Sequence, residues 1–142
     1  MRIVLFFLFL HLSFLQIITI NNCPSFYTLI SANNTQSFIL TNNIDCNFNS
    51  TTVSSFMGNL DGNNFTISNL NTKLFGNGVN ASVSNLIVEN AQIVGSSYQG
   101  VFFSLISNTS ITNCHVTTND SFSNLVNCTN NCCCGNSFNQ SD

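Results

Sequence analysis

Ile67-Ser68-Asn69-Leu70, Val83-Ser84-Asn85-Leu86 and Ile111-Thr112-Asn113-Cys114 repeat one pattern: a β-branched apolar residue, a hydroxyl, an asparagine, then an apolar residue or thiol. A short unit that recurs with a polar residue held in register is what a stack of coiled strands needs. Asn85 follows Asn69 by sixteen positions and Asn113 follows Asn85 by twenty-eight, a mean of twenty-two. Such a mean suits one turn of a β-helix built from short strands and corners. Aligned on the asparagine, Ile67, Val83 and Ile111 form one column, Leu70, Leu86 and Cys114 a second, and Thr72, Val88 and Val116 a third. Neighbouring strands lie about 4.7–4.9 Å apart, so equivalent side chains would meet face on. Asn69, Asn85 and Asn113 are then expected to form an internal ladder, each amide bonding the one above and below.

Outward from these runs, strand signals dominate. Ser37 to Thr41, Phe56 to Leu60, Phe65 to Ile67 and Val101 to Phe103 are short β-rich stretches broken by Asn, Gly or Asp. Asp61-Gly62-Asn63-Asn64 is a turn signal, because Gly and Asn tolerate positive φ. No stretch shows a sustained helical period with caps, and the single Pro24 tells little, so the chain reads as all-β. Between residues 23 and 120 about four coils fit at the mean spacing, which is short for a solenoid whose ends must be covered. The segments before residue 38 and after 118 are therefore expected to act as partial caps.

The first twenty residues are of another kind. Arg2 precedes Ile3-Val4-Leu5-Phe6-Phe7-Leu8-Phe9-Leu10, and a mixed apolar stretch runs on to Ile20. This fits the basic start and apolar core of a secretory signal helix, with cleavage near residues 19 to 22. Ile18-Thr19-Ile20 lacks the small residues of a cleavage site, which leaves an uncleaved membrane anchor as the alternative. His11, Ser13 and Gln16 count against a spanning helix, which needs about 20 predominantly apolar residues. The expected organisation is a signal peptide over 1–20, a β-helix repeat domain over 21–120 and a cysteine-rich irregular tail over 121–142.

After residue 20, Lys73 is the one strong base against Asp45, Asp61, Glu89, Asp120 and Asp142, so one positive and five negative charges leave a net of −4. Nucleic-acid binding needs Lys and Arg to neutralise phosphates, and this chain cannot supply them. Asparagine takes the place of charge, with twenty-six copies after residue 20. Ten phenylalanines are spaced through the same region and favour burial over a disordered asparagine-rich segment. Asn33, Asn49, Asn64, Asn80, Asn108, Asn119, Asn127 and Asn139 satisfy the glycosylation triplet, and some of them are expected to carry glycan in a secreted protein.

Seven cysteines, Cys23, Cys46, Cys114, Cys128, Cys132, Cys133 and Cys134, read first as disulfides in a secreted chain of this size. Cys23 with Cys46 is the expected N-terminal staple, and Cys128, Cys132, Cys133 and Cys134 are further candidates. The odd count leaves a thiol for an inter-chain link, while Cys114 fills an apolar column and suits a buried thiol. The tail lacks paired Cys-x-x-Cys spacing and neighbouring His, so disulfides are expected there and no metal or other cofactor.

A family resemblance now becomes visible. Residues 38–46 (Phe-Ile-Leu-Thr-Asn-Asn-Ile-Asp-Cys) and 56–70, with Leu60-Asp61-Gly62-Asn63 and Ile67-Ser68-Asn69-Leu70, resemble the opening of GLUG-type repeat proteins. The extracellular regions of that family resemble right-handed parallel β-helices of the pectin-lyase-like kind. There a Leu-Asp-Gly-Asn turn and an Ile-x-Asn-Leu coil precede repeats of Gly-Leu-x-Gly and Ile-x-Asn-Cys. In this chain Leu74-Phe75-Gly76 keeps the end of the glycine motif with Lys73 at its start, and Gly100-Val101-Phe102-Phe103 keeps its first glycine and loses its last. The resemblance covers roughly residues 38 to 118 and implies a short right-handed parallel β-helix with an adhesive or surface role.

Pectin-lyase-like folds often cleave acidic polysaccharides, so catalysis is the natural rival. Lyase chemistry calls for a base with cationic neutralisation, and Lys73 and His115 are what this chain has; hydrolysis needs two carboxyl groups at a set separation. Asp45 and Asp61 are close enough in sequence to sit on adjacent coils, but turn chemistry accounts for Asp61 and a neighbouring disulfide cysteine for Asp45. Glu89 is expected to face solvent, and no serine has a His-acid pair or nucleophile-elbow glycines. The expectation is a secreted or cell-surface, non-catalytic module contacting carbohydrate or a matrix protein, with Tyr98, Phe102 or Phe122 as stacking groups if exposed. The alternatives are a degenerate polysaccharide-active enzyme and a truncated remnant without activity.

Overall fold

Apolar residues in this chain come in runs too short for long strands, since an asparagine, glycine or aspartate interrupts them every few positions. The structure, a computed structural model, describes residues 16–93 and 100–117, and its strands are accordingly two to five residues long. In chain order the elements are β1 (Ile17–Ile20), α1 (Cys23–Ala32), β2 (Ser37–Leu40), β3 (Ile44–Asp45), β4 (Val53–Phe56), β5 (Asn59–Asp61) and β6 (Thr66–Ser68). They continue with β7 (Phe75–Val79), β8 (Ser82–Ser84), β9 (Ile87–Glu89), β10 (Phe103–Ser107), β11 (Ser110–Thr112) and β12 (His115–Thr117).

The strands form three sheets. The first is ordered β1-β2-β5-β8-β11, the second β3-β6-β9-β12 and the third β4-β7-β10. Every pairing is parallel. From β2 onward the chain visits first, second and third sheet in rotation, so each strand bonds the strand three elements further on. Mostly β structure in parallel sheets, with this succession, is compatible with a β-helix.

Register then builds the interior. Ile18, Phe38, Leu60, Val83 and Ile111 align across the first sheet. Ile44, Ile67, Val88 and Val116 align across the second, and Val53, Phe75 and Phe103 across the third. The expected columns need correcting here: Ile67 belongs with Val88 and Val116, not with Val83 and Ile111. The shorter interval, between Asn69 and Asn85, joins two different corners. True steps along the first sheet run from Ile18 to Phe38, to Leu60, to Val83 and to Ile111, and each is longer than the one before. The rings of Phe56, Phe75 and Phe103 stack inside, with centroids 4.7 and 4.9 Å apart, a geometry that adds to their burial.

The N-terminal end adds one short helix, which the sequence reading does not anticipate, to a chain that is otherwise mostly β. It spans Cys23–Ala32: Asn22 caps it by accepting from the Ser25 amide at 2.8 Å, and Pro24 sits in its first turn. Cys23, Phe26, Tyr27 and Ile30, at i, i+3, i+4 and i+7, form its buried face. Ile17–Ile20 is a strand of the first sheet; Ile20 is fully buried and its carbonyl accepts from Thr41 N–H at 3.0 Å. Residues 1–15, where the signal helix is expected, lie outside the described residues. So does the expected tail over 121–142.

Cys23 and Cys46 form a buried disulfide that spans 23 residues and ties α1 to the chain just after β3. Such a bond is consistent with an extracellular protein.

Candidate functional site

Most turns from one sheet to the next use a residue with positive φ, and asparagine tolerates that region better than other non-glycine residues. Of the ten non-glycine residues described with positive φ, nine are asparagine and the tenth is Phe48. They fall at three corners. Asn63, Asn64, Asn85 and Asn113 turn from the first sheet to the second, Asn47, Phe48, Asn69 and Asn90 from the second to the third, and Asn80 and Asn108 from the third back to the first.

At each corner the side chains form a column with one polarity. Asn113 Nδ2 donates to Asn85 Oδ1 at 2.7 Å, and Asn85 Nδ2 donates to Asp61 at 3.0 Å. Asn90 Nδ2 donates to Asn69 Oδ1, and Asn69 Nδ2 donates to Asp45 at 2.8 Å. Asn108 donates to Asn80 at 2.7 Å. The later coil always donates to the earlier one. A carboxylate only accepts, so it can stand at the base of such a column and nowhere else in it. Asp45 and Asp61 also accept from the Asn47 and Asn63 amides, both at 2.8 Å, which closes the turn that each begins.

The structure therefore brings Asn85 and Asn113 together and puts Asn69 in a separate column with Asn90. These side chains are half-buried or exposed corner groups, not an internal ladder. Gly62, expected to supply positive φ, does not: Asn63 and Asn64 do, at 50° and 61°. Gly62 is there for close approach, since a Cβ on it would lie 2.5 Å from both Asn85 O and Leu86 Cα of the next coil. Further polar links bind successive coils elsewhere, including Ser50 Oγ to Asn71 Oδ1 at 2.6 Å, the Thr52 and Thr72 hydroxyls at 2.8 Å, and the Thr66 amide to Asn43 Oδ1 at 2.9 Å.

The candidate acid and base groups are dispersed. Asp45 ends β3 in the second sheet and Asp61 ends β5 in the first, each at the foot of its own column. Hydrogen bonds from the Asn69 amide and the Asn47 backbone hold the Asp45 carboxyl below the usual carboxylate range. Glu89 and His115 are exposed on β9 and β12, and Lys73 is half-buried before β7. Among the described residues no three His, Cys, Asp or Glu side chains gather in a group able to hold a metal ion. Burial pushes the Tyr27 hydroxyl up to about 12, opposed in smaller part by the Ser50 hydroxyl. It has no partner in hydrogen-bonding geometry among the described residues.

Of the aromatics considered for stacking, Phe102 is buried, and Tyr98 and Phe122 lie outside the described residues. Among the described residues the exposed large apolar side chains are Ile17, Phe48, Met57, Val79 and Leu105, which the sequence does not single out. Leu105 shares an outward-facing register with Asn77 and Ser55 on the third sheet.

Among the glycosylation triplets, Asn33, Asn49, Asn64, Asn80 and Asn108 are exposed. Asn33 also bonds the Leu29 carbonyl at the end of α1, and Asn80 and Asn108 bond one another. Asn119, Asn127 and Asn139 lie outside the described residues, as do Cys128, Cys132, Cys133 and Cys134. Cys114 is half-buried, with its thiol 3.3 Å from the Thr112 carbonyl.

No family model, no curated protein and no solved structure matches the chain.

Proposed function

We propose that the chain is a right-handed parallel β-helix of GLUG-type character, secreted and glycosylated, that serves as a non-catalytic surface or matrix module. The observation that carries this reading is the use made of its carboxylates. Asp45 and Asp61, the pair that a polysaccharide-cleaving site would need, are each held by two hydrogen bonds at the foot of separate asparagine columns. Left on the outside are hydroxyls and amides on short parallel strands, which contact carbohydrate or protein through many neutral hydrogen bonds.

The test is to incubate the full secreted chain with a panel of plant, microbial and host glycans while measuring both retention and product release. Retention without release is expected. Release that disappears in Asp45→Asn or Asp61→Asn would overturn this reading in favour of a polysaccharide-active enzyme. Absence of both retention and release across the panel would remove carbohydrate as the ligand class and leave a protein partner.

A further inference from the structure

Asparagine side chains in this fold are rarely idle. Asn42 and Asn63 donate to the Asn21 and Leu40 carbonyls of the preceding coil, and Asn43 accepts from the Thr66 amide of the next. The corner columns engage Asn69, Asn80, Asn85, Asn90, Asn108 and Asn113. Among the described residues, the asparagines whose side chains bond nothing are Asn47, Asn49, Asn64 and Asn77. Two of these, Asn49 and Asn64, open a glycosylation triplet, completed by Thr51 and Thr66. Both asparagines are exposed.

The other described triplets begin on side chains that the fold uses. Asn33 Nδ2 donates to the Leu29 carbonyl at 3.1 Å, where it finishes α1, and Asn108 Nδ2 donates to Asn80 Oδ1 at 2.7 Å. A glycan replaces one hydrogen on Nδ2 with a bulky sugar, so at Asn33 it competes with the helix end. Asn80 and Asn108 stand on successive coils, about 4.7–4.9 Å apart by the spacing of neighbouring strands, so a sugar on either crowds the other.

We propose that, of the described triplets, Asn49 and Asn64 are the ones that carry N-linked glycan, while Asn33, Asn80 and Asn108 are kept for structure. The assignment rests on the secretory route proposed for the chain. In the transfer, Nδ2 forms a bond to the anomeric carbon of a lipid-diphosphate-linked oligosaccharide. The bond from that carbon to the diphosphate oxygen breaks, the lipid diphosphate leaves with the electron pair, and Nδ2 releases one proton. Asn64 lies at the corner leading into β6, and Asn49 lies beyond the end of β3, the neighbour of β6 in the second sheet. Glycans at the two positions flank the second sheet at both ends of its strands and the first and third at one end only. The outer face of the second sheet becomes the least accessible to a large ligand.

Chymotryptic glycopeptide mapping of the full chain, expressed in a eukaryotic secretory host with medium and cells both sampled, tests it. Glycan is expected on Asn49 and Asn64 in most copies and on Asn33, Asn80 and Asn108 in few. Thr51→Val and Thr66→Val, which keep both asparagines, are each expected to lose the mass of one glycan, and Ser82→Ala and Ser110→Ala to lose none. Chain in the medium with Asn49 and Asn64 bare overturns the assignment and leaves secretion standing. So does occupancy of Asn33, Asn80 or Asn108 equal to that of Asn49 and Asn64. Chain that stays in the cell without glycan overturns the secretory route and the assignment with it. If a threonine variant fails to fold, the map of the parent chain decides alone.

Discussion

The two ends of the described fold are finished in different ways. At the N-terminal end β1 adds a strand to the first sheet, α1 lies against β1 and against β4 of the third, and the Cys23–Cys46 disulfide anchors the helix to the chain after β3 of the second. Phe26 from α1 reaches Phe75, with ring centroids 5.9 Å apart, so the helix continues the interior stack. At the other end β10, β11 and β12 close the described sheets with nothing further on them among the described residues. Burial records the contrast. Val83 and Leu86 are fully buried, whereas Ile111 and Cys114, their equivalents one coil later, are half-buried. In the first sheet the last described layer is thus wetter than the one before it, while Phe103 and Val116 in the other two sheets of that layer stay buried.

The largest expected break in this comparison is Phe26→Ala. Removing a fully buried ring from the capping helix is expected to cost about 3–5 kcal/mol, whereas Ile111→Ala at the half-buried end costs about 1–2 kcal/mol. Urea unfolding midpoints of the two variants measure the difference. Equal losses would mean that the far end is as thoroughly covered as the near one.

Tyr27 sharpens the comparison from inside the closed end, where completeness comes with an unsatisfied hydroxyl. Below pH 10 the residue is neutral whether folded or unfolded. The unfolded side chain ionises near 10.0 and the folded one near about 12, so between these values the unfolded chain gives up its proton first. Stability therefore falls as pH rises through that window, by about 1.4 kcal/mol per unit and at most about 3 kcal/mol. Tyr27→Phe is expected to remove this alkaline dependence, and at neutral pH to gain about 1 kcal/mol by eliminating a buried unpaired hydroxyl. Thermal melts of parent and variant from pH 8 to 11.5 read both effects; a slope shared by the two proteins would show that Tyr27 is not its source.

How much of this could be read beforehand follows from particular residues. Asparagine recurrence was legible because few other residues turn a corner at positive φ, and β2, with its flanking breaks, stands where its β-rich run lies. The expected coil length lies close to the observed steps, but the columns were aligned wrongly because two corners use the same spelling. Ile67-Ser68-Asn69-Leu70 leaves the second sheet and Val83-Ser84-Asn85-Leu86 leaves the first, while the true equivalent of Asn69 is Asn90, within the less similar Val88-Glu89-Asn90-Ala91. Helix α1 was signalled by Asn22, Pro24 and the spacing of Cys23, Phe26, Tyr27 and Ile30, but an apolar leader running into it obscured where the fold begins. The base of each column had its own signal, since Asp45 precedes Asn69 and Asp61 precedes Asn85 by the same interval of 24. The role of Gly62 was not legible, because it depends on how closely Asn85 and Leu86 of another coil approach.

The smallest expected effects lie in the columns, which run from the better-covered coils to the outermost one. Asn85 both donates to Asp61 and accepts from Asn113, while Asn113 stands last in its column among the described residues and only donates there. Their φ values are 52° and 51°, so replacing either by alanine imposes the same left-handed strain. Asn85→Ala is expected to cost about 1–2 kcal/mol and Asn113→Ala less, by the worth of about one hydrogen bond, roughly 0.5–1 kcal/mol. Glycine at either site relieves the strain and leaves the bonds missing, so Asn85→Gly should retain most of that difference over Asn113→Gly. Urea midpoints of the four variants separate the two contributions. If the alanine pair and the glycine pair each show no gap between the sites, the side-chain columns add nothing to stability, and asparagine is used at these corners for its backbone alone.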